Sequence, residues 1–256
     1  MRTYAMTLHR FYIPASQWDP DHLVLDEAES HHCTDVLRLR QGQRIVVFNG
    51  EGSEVTGEIS LITKREVGLC PLFAQMTARP AASITLAQAV PKGKNMDLVI
   101  QKAAELGAAE IIPVISERTV VRLDAGEAAD KQEKWQRIAI EACKQCGQNH
   151  LPRVGRPVAL DRLFAQKPAH DLLLIAAIEP GARRLKELLA GWGSLHPGKS
   201  KPRSILVFIG PEGDFTPAEV GLAKSRGCQP LSLGPIILRT ETAAIYSLST
   251  LAHELF

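Results

Sequence analysis

Residues 209–219 read IGPEGDFTPAE, and residues 233–244 read LGPIILRTETAA. In both, an apolar run ends in Gly-Pro and a helix start follows. Glycine permits close backbone approach and positive φ, and proline stiffens the loop. The first loop carries two carboxylates, Glu212 and Asp214. The second carries three bulky apolar residues, Ile236, Ile237 and Leu238, followed by Arg239, Thr240 and Glu241. Apolar side chains of this kind sandwich a flat ring while backbone N–H and C=O groups read its edge. Two tight turns with no ligand remain an open alternative. The phosphate-cradling patterns G-x-x-x-x-G-K-[ST] and G-x-G-x-x-G are both missing, and two carboxylates disfavour an anion. A neutral or cationic ligand suits the first loop better than a triphosphate or a dinucleotide.

Thr216-Pro217-Ala218-Glu219 is a capping box with proline at the first helical position. It predicts a helix from 216 and leaves 210–215 as free loop at a strand end, the usual ligand crevice of an open α/β sheet. Arg239 offers a planar fork of donors. It either stabilises negative charge developing on a substrate or pairs with Glu212 or Glu241 and only braces the loop. No metal site is expected. His31-His32 has no supporting ligand array, and Cys143 and Cys146 form a lone C-x-x-C, a weak signal. Both cysteines fall in an amphipathic helix whose apolar face is read as Trp135, Ile138, Ala139, Ala142 and Cys146, so core packing is expected.

The elements that must position these residues follow from periodicity. Residues up to about 74 look β-rich. QRIVVFNGEGSEVTGEI is strand, turn and strand, with Asn49-Gly50 and Glu51-Gly52 as turn chemistry. REVGLCPLF is a further strand, and ESHHCTDVLRLRQG a short helix ended by Gly42. A compositional break at AQMTARPAAS, residues 74–83, separates domains placed at 1–74 and 82–256. Beyond it strands and helices alternate. SITLAQAV, AEIIPVIS, HDLLLIAAI, SILVFIG and PLSLG are strands. NMDLVIQKAAELG, KQEKWQRIAIEACKQCG, ARRLKELLAG, TPAEVGLAKSRG and TETAAIYSLSTLAHEL are helices, and GWGSLHPGKSKP is a loop. Strict alternation predicts a parallel α/β sheet with helices on both faces.

The whole chain is consistent with this. Its 256 residues are 45% hydrophobic and 23% charged, ordinary for a protein with a real core. Residues 1–73 carry 7 Lys/Arg against 10 Asp/Glu, and residues 74–256 carry 23 against 18. That mild basic excess permits nucleic-acid contact without requiring it. There is no apolar run long enough to span a membrane. The start, MRTYAMTLHRFYI, lacks a signal-peptide core, and five scattered cysteines do not form a disulfide framework. The expected compartment is the reducing cytoplasm.

The paired loops, together with NMDLVIQKAAELGAAEIIPVISERTVV, KWQRIAIEACKQCGQN, HRFYI and HHCTDVLRLRQGQRIVVFNGEG, strongly resemble the RsmE-type 16S ribosomal RNA uridine-N3 methyltransferases of the SPOUT class. The likeness extends over nearly the whole chain. It implies a C-terminal SPOUT domain with a deep trefoil knot at about 205–250, a PUA-like RNA-binding N-terminal domain and a homodimer. The implied cofactor is S-adenosylmethionine, held by Ile209, Gly210, Pro211, Glu212 and Gly213 of the first loop. In the second loop the matching residues are Leu233, Gly234, Ile236, Ile237, Leu238 and Thr240. The implied partners are 16S rRNA and the small ribosomal subunit, with no membrane and no metal. Arg10, Arg38, Arg40, Lys92, Lys94 and Arg153 are the candidate RNA contacts. Two positions depart from the pattern. Asp214 stands where the family commonly has glycine, and Gln148 where it commonly has arginine, with Arg153 and Arg156 nearby.

The resemblance implies methylation of uracil N3 in the decoding region of 16S rRNA, on the assembled subunit. N3 lies on the Watson–Crick edge, so the base must be unpaired and splayed out. As its proton leaves, charge spreads to the flanking carbonyl oxygens, where a fixed donor stabilises it. Arg239 is assigned that role. Glu241 is the candidate base, with Asp214 or a water as alternatives. Two other readings stay open: a non-catalytic cofactor- and RNA-binding ribosome-assembly protein on the same fold, and a Rossmann-type nucleotide enzyme.

Overall fold

The computed structural model describes residues 8–166, 168–199 and 201–256. Residues 1–7, the start of the segment read as lacking a signal-peptide core, lie outside the described residues. The chain forms two compact units, Met1–Arg79 with Ile140–Leu151, and Pro80–Ala139 with Pro152–Phe256. The inclusion of 140–151 in the first unit has no counterpart in the sequence reading.

The first unit is built on a five-stranded sheet of Arg10–Tyr12 (β1), Leu23–Leu25 (β2), Arg44–Phe48 (β3), Ser53–Ile62 (β4) and Val67–Met76 (β5), with a short helix Glu27–His31 (α1). The strand order is β1-β3-β4-β5-β2. Only β1 and β3 pair in parallel. β3 and β4 form the expected hairpin. Its turn is held by Asn49 Oδ1, which accepts the N–H groups of Glu51 and Ser53 at 2.8 and 3.1 Å. Period-2 alternation sends Phe11, Ile45, Val47, Val55 and Leu69 into one core. The helix expected to reach Gly42 is shorter. α1 widens into a π-helical turn at His32–Val36 and stops. Gly42 instead sits at positive φ in the turn before β3, its N–H bonded to Ile59 O.

The segment 140–151 completes this unit. It is the end of a long helix, Ala125–Cys146 (α3), stopped by Gly147 at φ 81° as expected. Lys144, its side chain 9% exposed, reaches Glu29 and Glu141, each at 2.9 Å. A charge so buried is tolerable only because it is paired. Trp135, Ala139 and Ala142 are buried and Ile138 half-buried, as the sequence reading expects, but the cysteines are exchanged. Cys143 is buried and Cys146 exposed. Burial pushes the Cys143 thiol up to about 12, so at neutral pH it packs as a small apolar side chain.

The second unit holds an all-parallel sheet. Its strands are Ser83–Ala89 (β6), Glu110–Ile115 (β7), Arg153–Val154 (β8), Val158–Ala159 (β9), Leu172–Ala176 (β10), Ser204–Ile209 (β11) and Gln229–Leu231 (β12). The order is β12-β10-β11-β6-β7-β8, with β9 also on β7. Its helices are Asn95–Glu105 (α2), the first part of α3, Leu160–Ala165 (α4), Leu185–Leu195 (α5), Pro217–Ser225 (α6) and Thr240–Leu255 (α7). On one face Leu163 and Phe164 of α4 and Val220 and Ala223 of α6 pack on Ala87, Leu206 and Phe208. Phe164 and Phe208 stack at 4.8 Å, and each buried aromatic of this size contributes about 2–3 kcal/mol. On the other face α7 lies against β6 and β11 and also touches α2. The parallel sheet covered on both faces is the architecture the alternation predicts.

One expected loop is helix. α5 runs through Gly191 and Gly193 to Leu195. Trp192 explains this: it is 2% exposed, and its indole N–H donates to Asp171 O at 3.1 Å. Burial of one indole outweighs the propensity cost of two glycines, roughly 1 kcal/mol each.

Candidate functional site

Because the strands are parallel, the segments following β6, β7, β10, β11 and β12 emerge at one edge of the sheet. The strand order places β10 between β11 and β12. The two Gly-Pro loops therefore flank the end of β10, and a cavity of about 630 Å³ opens between them. That volume suits a small organic ligand. Its wall includes Ile209, Gly210, Pro211 and Glu212 from the first loop. Leu233, Gly234, Ile236, Ile237 and Leu238 come from the second, and Arg239, Thr240 and Glu241 from the start of α7. Of the residues expected to hold a ligand, only Gly213 is off the wall. Its carbonyl instead accepts a bond from Arg118 Nη1 at 2.6 Å.

The two glycines serve different physical ends. A Cβ on Gly210 would meet Asp214 Oδ1 at 3.0 Å and Phe215 N at 3.2 Å, so here the backbone needs the space. Gly234 has open space around it but φ of 119°, so here the backbone needs the conformation.

The first loop is fixed on several sides. Thr216 and Glu219 form the capping box, with Thr216 N–H on Glu219 Oε2 at 2.8 Å and Glu219 N–H on Thr216 Oγ1 at 3.3 Å. Glu219 Oε1 also accepts the N–H of Glu117 at 2.8 Å. Glu212 accepts the backbone N–H of Lys92 at 2.9 Å. Beneath the loop runs a buried polar chain. Gln88, fully buried on β6, donates from Nε2 to Ala89 O at 2.8 Å and to Thr240 Oγ1 at 2.9 Å. Thr240 then donates to Gly210 O at 2.6 Å. The Thr240 proton is committed to Gly210 and Ala89 O can only accept. The amide must therefore present its NH₂ to both, which fixes its orientation. This chain ties β6, the first loop and the start of α7 into one piece.

Arg239 is the N-cap residue of α7, with extended backbone. Its side chain is exposed, and among the described residues it forms no ion pair. The alternative in which it only braces Glu212 or Glu241 is thus not what the structure contains. Glu241 faces the amide of Asn95 at 3.4 Å.

Sequence reasoning missed the third wall, Ala176 at the end of β10 and Ala177 to Glu179 with Ala182 after it, and also Asn95, Leu231 and Ser232. The Glu179-Pro180-Gly181 turn at a strand end was the available signal. Asp214 has a left-handed backbone, with φ of 59° and its Oδ1 accepting the N–H of Phe215 at 2.7 Å.

The basic residues proposed to meet RNA divide in two. In the second unit Lys92 and Lys94 are exposed, and in the first Arg38 and Arg40 are exposed. None of these four forms an ion pair among the described residues. Arg10 is different. Its side chain, 11% exposed, is bonded to Glu54 and, at 2.6 Å, to Asn149 Oδ1, and it lies over the Phe48 ring. The phosphate-contact expectation for Arg10 gives way to an internal one, because both of its terminal nitrogens are bonded inside the first unit. Arg153 is exposed but bound to Glu110. Among the described residues no group of three metal-ligating side chains occurs.

Residues 78–252 match the family described as RNA methyltransferase domain, and residues 25–68 match the RNA methyltransferase PUA domain. The ribosomal RNA small subunit methyltransferase E of Bacillus subtilis (strain 168) is 31% identical over 227 residues, 88% of either chain. The crystal structure of a protein of that name from Neisseria gonorrhoeae, bound to S-adenosyl methionine, superposes with a TM-score of 0.83 at 32% identity. It covers 96% of this chain and 98% of its own. A Legionella pneumophila protein solved with bound cofactor SAM gives a TM-score of 0.85 at 36% identity, again covering 96% of this chain and 98% of its own. With residues 78–252 matched to the RNA methyltransferase domain, residues 25–68 to its PUA domain, and a cavity at the sheet edge, this chain belongs to the RNA methyltransferase family that includes ribosomal RNA small subunit methyltransferase E.

Proposed function

We propose that this chain uses S-adenosylmethionine to methylate N3 of a uridine in the decoding region of 16S rRNA, on the assembled small subunit. The observation that carries the reading is the cavity between the Gly-Pro loops, with an exposed, unpaired Arg239 at its rim. The cavity fits the cofactor in its chemistry. Ile236, Ile237 and Leu238 offer an apolar wall for a flat ring. Residues 235–237 make no hydrogen bond among the described residues, so their backbone groups are free to read a ring edge. The carboxylates of Glu212, Asp214 and Glu241 suit a cationic centre.

When bound, the cofactor supplies an electrophilic methyl group on a sulfonium. The chain's residues do the rest. Arg239 directs guanidinium N–H groups at the uracil oxygens, where charge gathers as the N3 proton leaves. Glu241, at the same helix start, accepts that proton directly or through water. Glu212 and the Gln88–Thr240–Gly210 chain hold the first loop still, so that alignment contributes to the rate. Lys92, Lys94, Arg38 and Arg40 neutralise RNA phosphates. The same reading includes a homodimer, a trefoil knot over about 205–250, and a cytoplasmic location.

The test is incubation with labelled S-adenosylmethionine and small subunits from cells lacking the enzyme, followed by nucleoside analysis of the 16S rRNA. N3-methyluridine is the expected product. Label in a different nucleoside overturns the base assignment. Tight cofactor binding with no label in rRNA overturns the substrate.

A further inference from the structure

Only two described residues other than glycine have positive φ, Arg38 at 55° and Asp214 at 59°. Arg38 lies on an exposed turn of the first unit, but Asp214 is on the cavity wall. A left-handed backbone is costly for most side chains. Asp tolerates it by a local bond, here from Phe215 N–H to Oδ1. Glycine would adopt this turn at lower cost. What the aspartate adds to the wall is therefore charge rather than shape, and strain held at a binding site points to use.

The charge balance of the cavity gives that use. Glu179, Glu212, Asp214 and Glu241 line it, against one guanidinium, Arg239. Glu179 is matched outside the cavity by Lys224 at 3.1 Å. The other three carboxylates touch only neutral donors: the Lys92 N–H, the Phe215 N–H and the Asn95 amide. The wall is thus net negative, and an entering cation is favoured over a neutral molecule of the same shape.

We infer that Asp214 is a specificity-determining residue that separates S-adenosylmethionine from S-adenosylhomocysteine by charge. This rests on the cofactor reading above. S-adenosylmethionine carries a sulfonium, an ammonium and a carboxylate, and so one net positive charge. S-adenosylhomocysteine lacks the sulfonium charge and is neutral overall. A negative wall holds the first and releases the second, which limits inhibition by product.

The experiment is calorimetric titration of both ligands into the full chain, as wild type, Asp214→Asn and Asp214→Gly. Asparagine accepts the left-handed turn and keeps an acceptor for Phe215 N–H while removing the charge. Glycine accepts the turn without any side chain, so the test survives if either variant folds poorly. Both variants are expected to lose about fivefold in S-adenosylmethionine affinity, as for one partly screened charge near the ligand, and to hold S-adenosylhomocysteine unchanged. Rising salt should compress the wild-type preference toward that of the variants. Equal losses for the two ligands, or loss for neither, overturn the assignment. If wild type binds neither ligand, the cofactor reading itself fails, which is a different result from binding without discrimination.

Discussion

The loop at 210–216 is bonded to Thr240, Lys92, Arg118 and Glu117, whereas residues 235–237 bond to nothing among the described residues. Both loops begin with Gly-Pro at the end of a parallel strand. Phe215 is 4% exposed and anchors the first, while Ile236 and Ile237 of the second are 71% and 83% exposed. The same dipeptide thus opens a fixed wall and a yielding one. A fixed wall holds reactive groups in register. An open apolar wall keeps its free energy of burial for the moment of binding, when a ligand covers it. The difference shows that a loop motif announces a site, while its neighbours decide how that site works.

Arg239 joins the two walls, since it ends the open loop and caps the helix that clamps the fixed one. Replacing it should therefore have the largest effect on turnover. Arg239→Ala is expected to lower kcat by about 10²-fold, the scale for losing one donor to a developing oxyanion. KM for the cofactor should stay within about threefold, because uniform binding is untouched. Steady-state methyl transfer measures both. A raised KM with unchanged kcat would move Arg239 from the chemistry to cofactor binding. Arg239→Lys restores charge without the planar fork, so only partial recovery is expected.

Next in size is the clamp. Thr240→Val keeps side-chain volume but leaves Gly210 O and one Gln88 N–H buried without partners. Unsatisfied buried groups cost about 1–3 kcal/mol each, so a loss of roughly 2–6 kcal/mol is expected by urea unfolding of the full chain. Thr240→Ser keeps the hydroxyl and should recover most of it. If valine costs nothing, the first loop is not held from beneath, and its contrast with the second weakens.

What could be read from sequence was what is local. The capping box at Thr216, the helix stops at Gly107 and Gly147, and the strand–helix alternation each depend on a few adjacent residues, and each is present. What was hidden depends on pairing across the chain. The third wall after β10 follows from β10 lying between β11 and β12, an order that no local pattern specifies. Gln88 reads as one polar residue in an apolar strand; its value appears only beside Thr240. Arg10 looks like a surface cation until β4 supplies Glu54 and the segment just after α3 supplies Asn149. The GWGSL segment reads as loop because glycine propensity is local, while the burial of Trp192 is not. In α3 the choice between Cys143 and Cys146 turned on helical phase over a helix that starts at Ala125, well before the pattern that revealed it.

The smallest stability effect is expected on the open wall. Ile237 is exposed, so Ile237→Ser removes little buried area, and surface changes of this kind stay within about 0.5 kcal/mol. Thermal unfolding without ligand should therefore match wild type. With S-adenosylmethionine the two proteins should part, because the apolar contact exists only when the cavity is filled. Loss of most of one aliphatic side chain's burial, about 1 kcal/mol, corresponds to roughly fivefold weaker binding. Ligand then raises the midpoint of the variant less than that of wild type at equal concentration. If the variant is already destabilised without ligand, the second loop is packed in solution against something else, such as a second copy of the chain, and the wall is not open. If neither stability nor binding moves, Ile237 faces away from the bound cofactor, and the apolar wall reduces to Ile236 and Leu238.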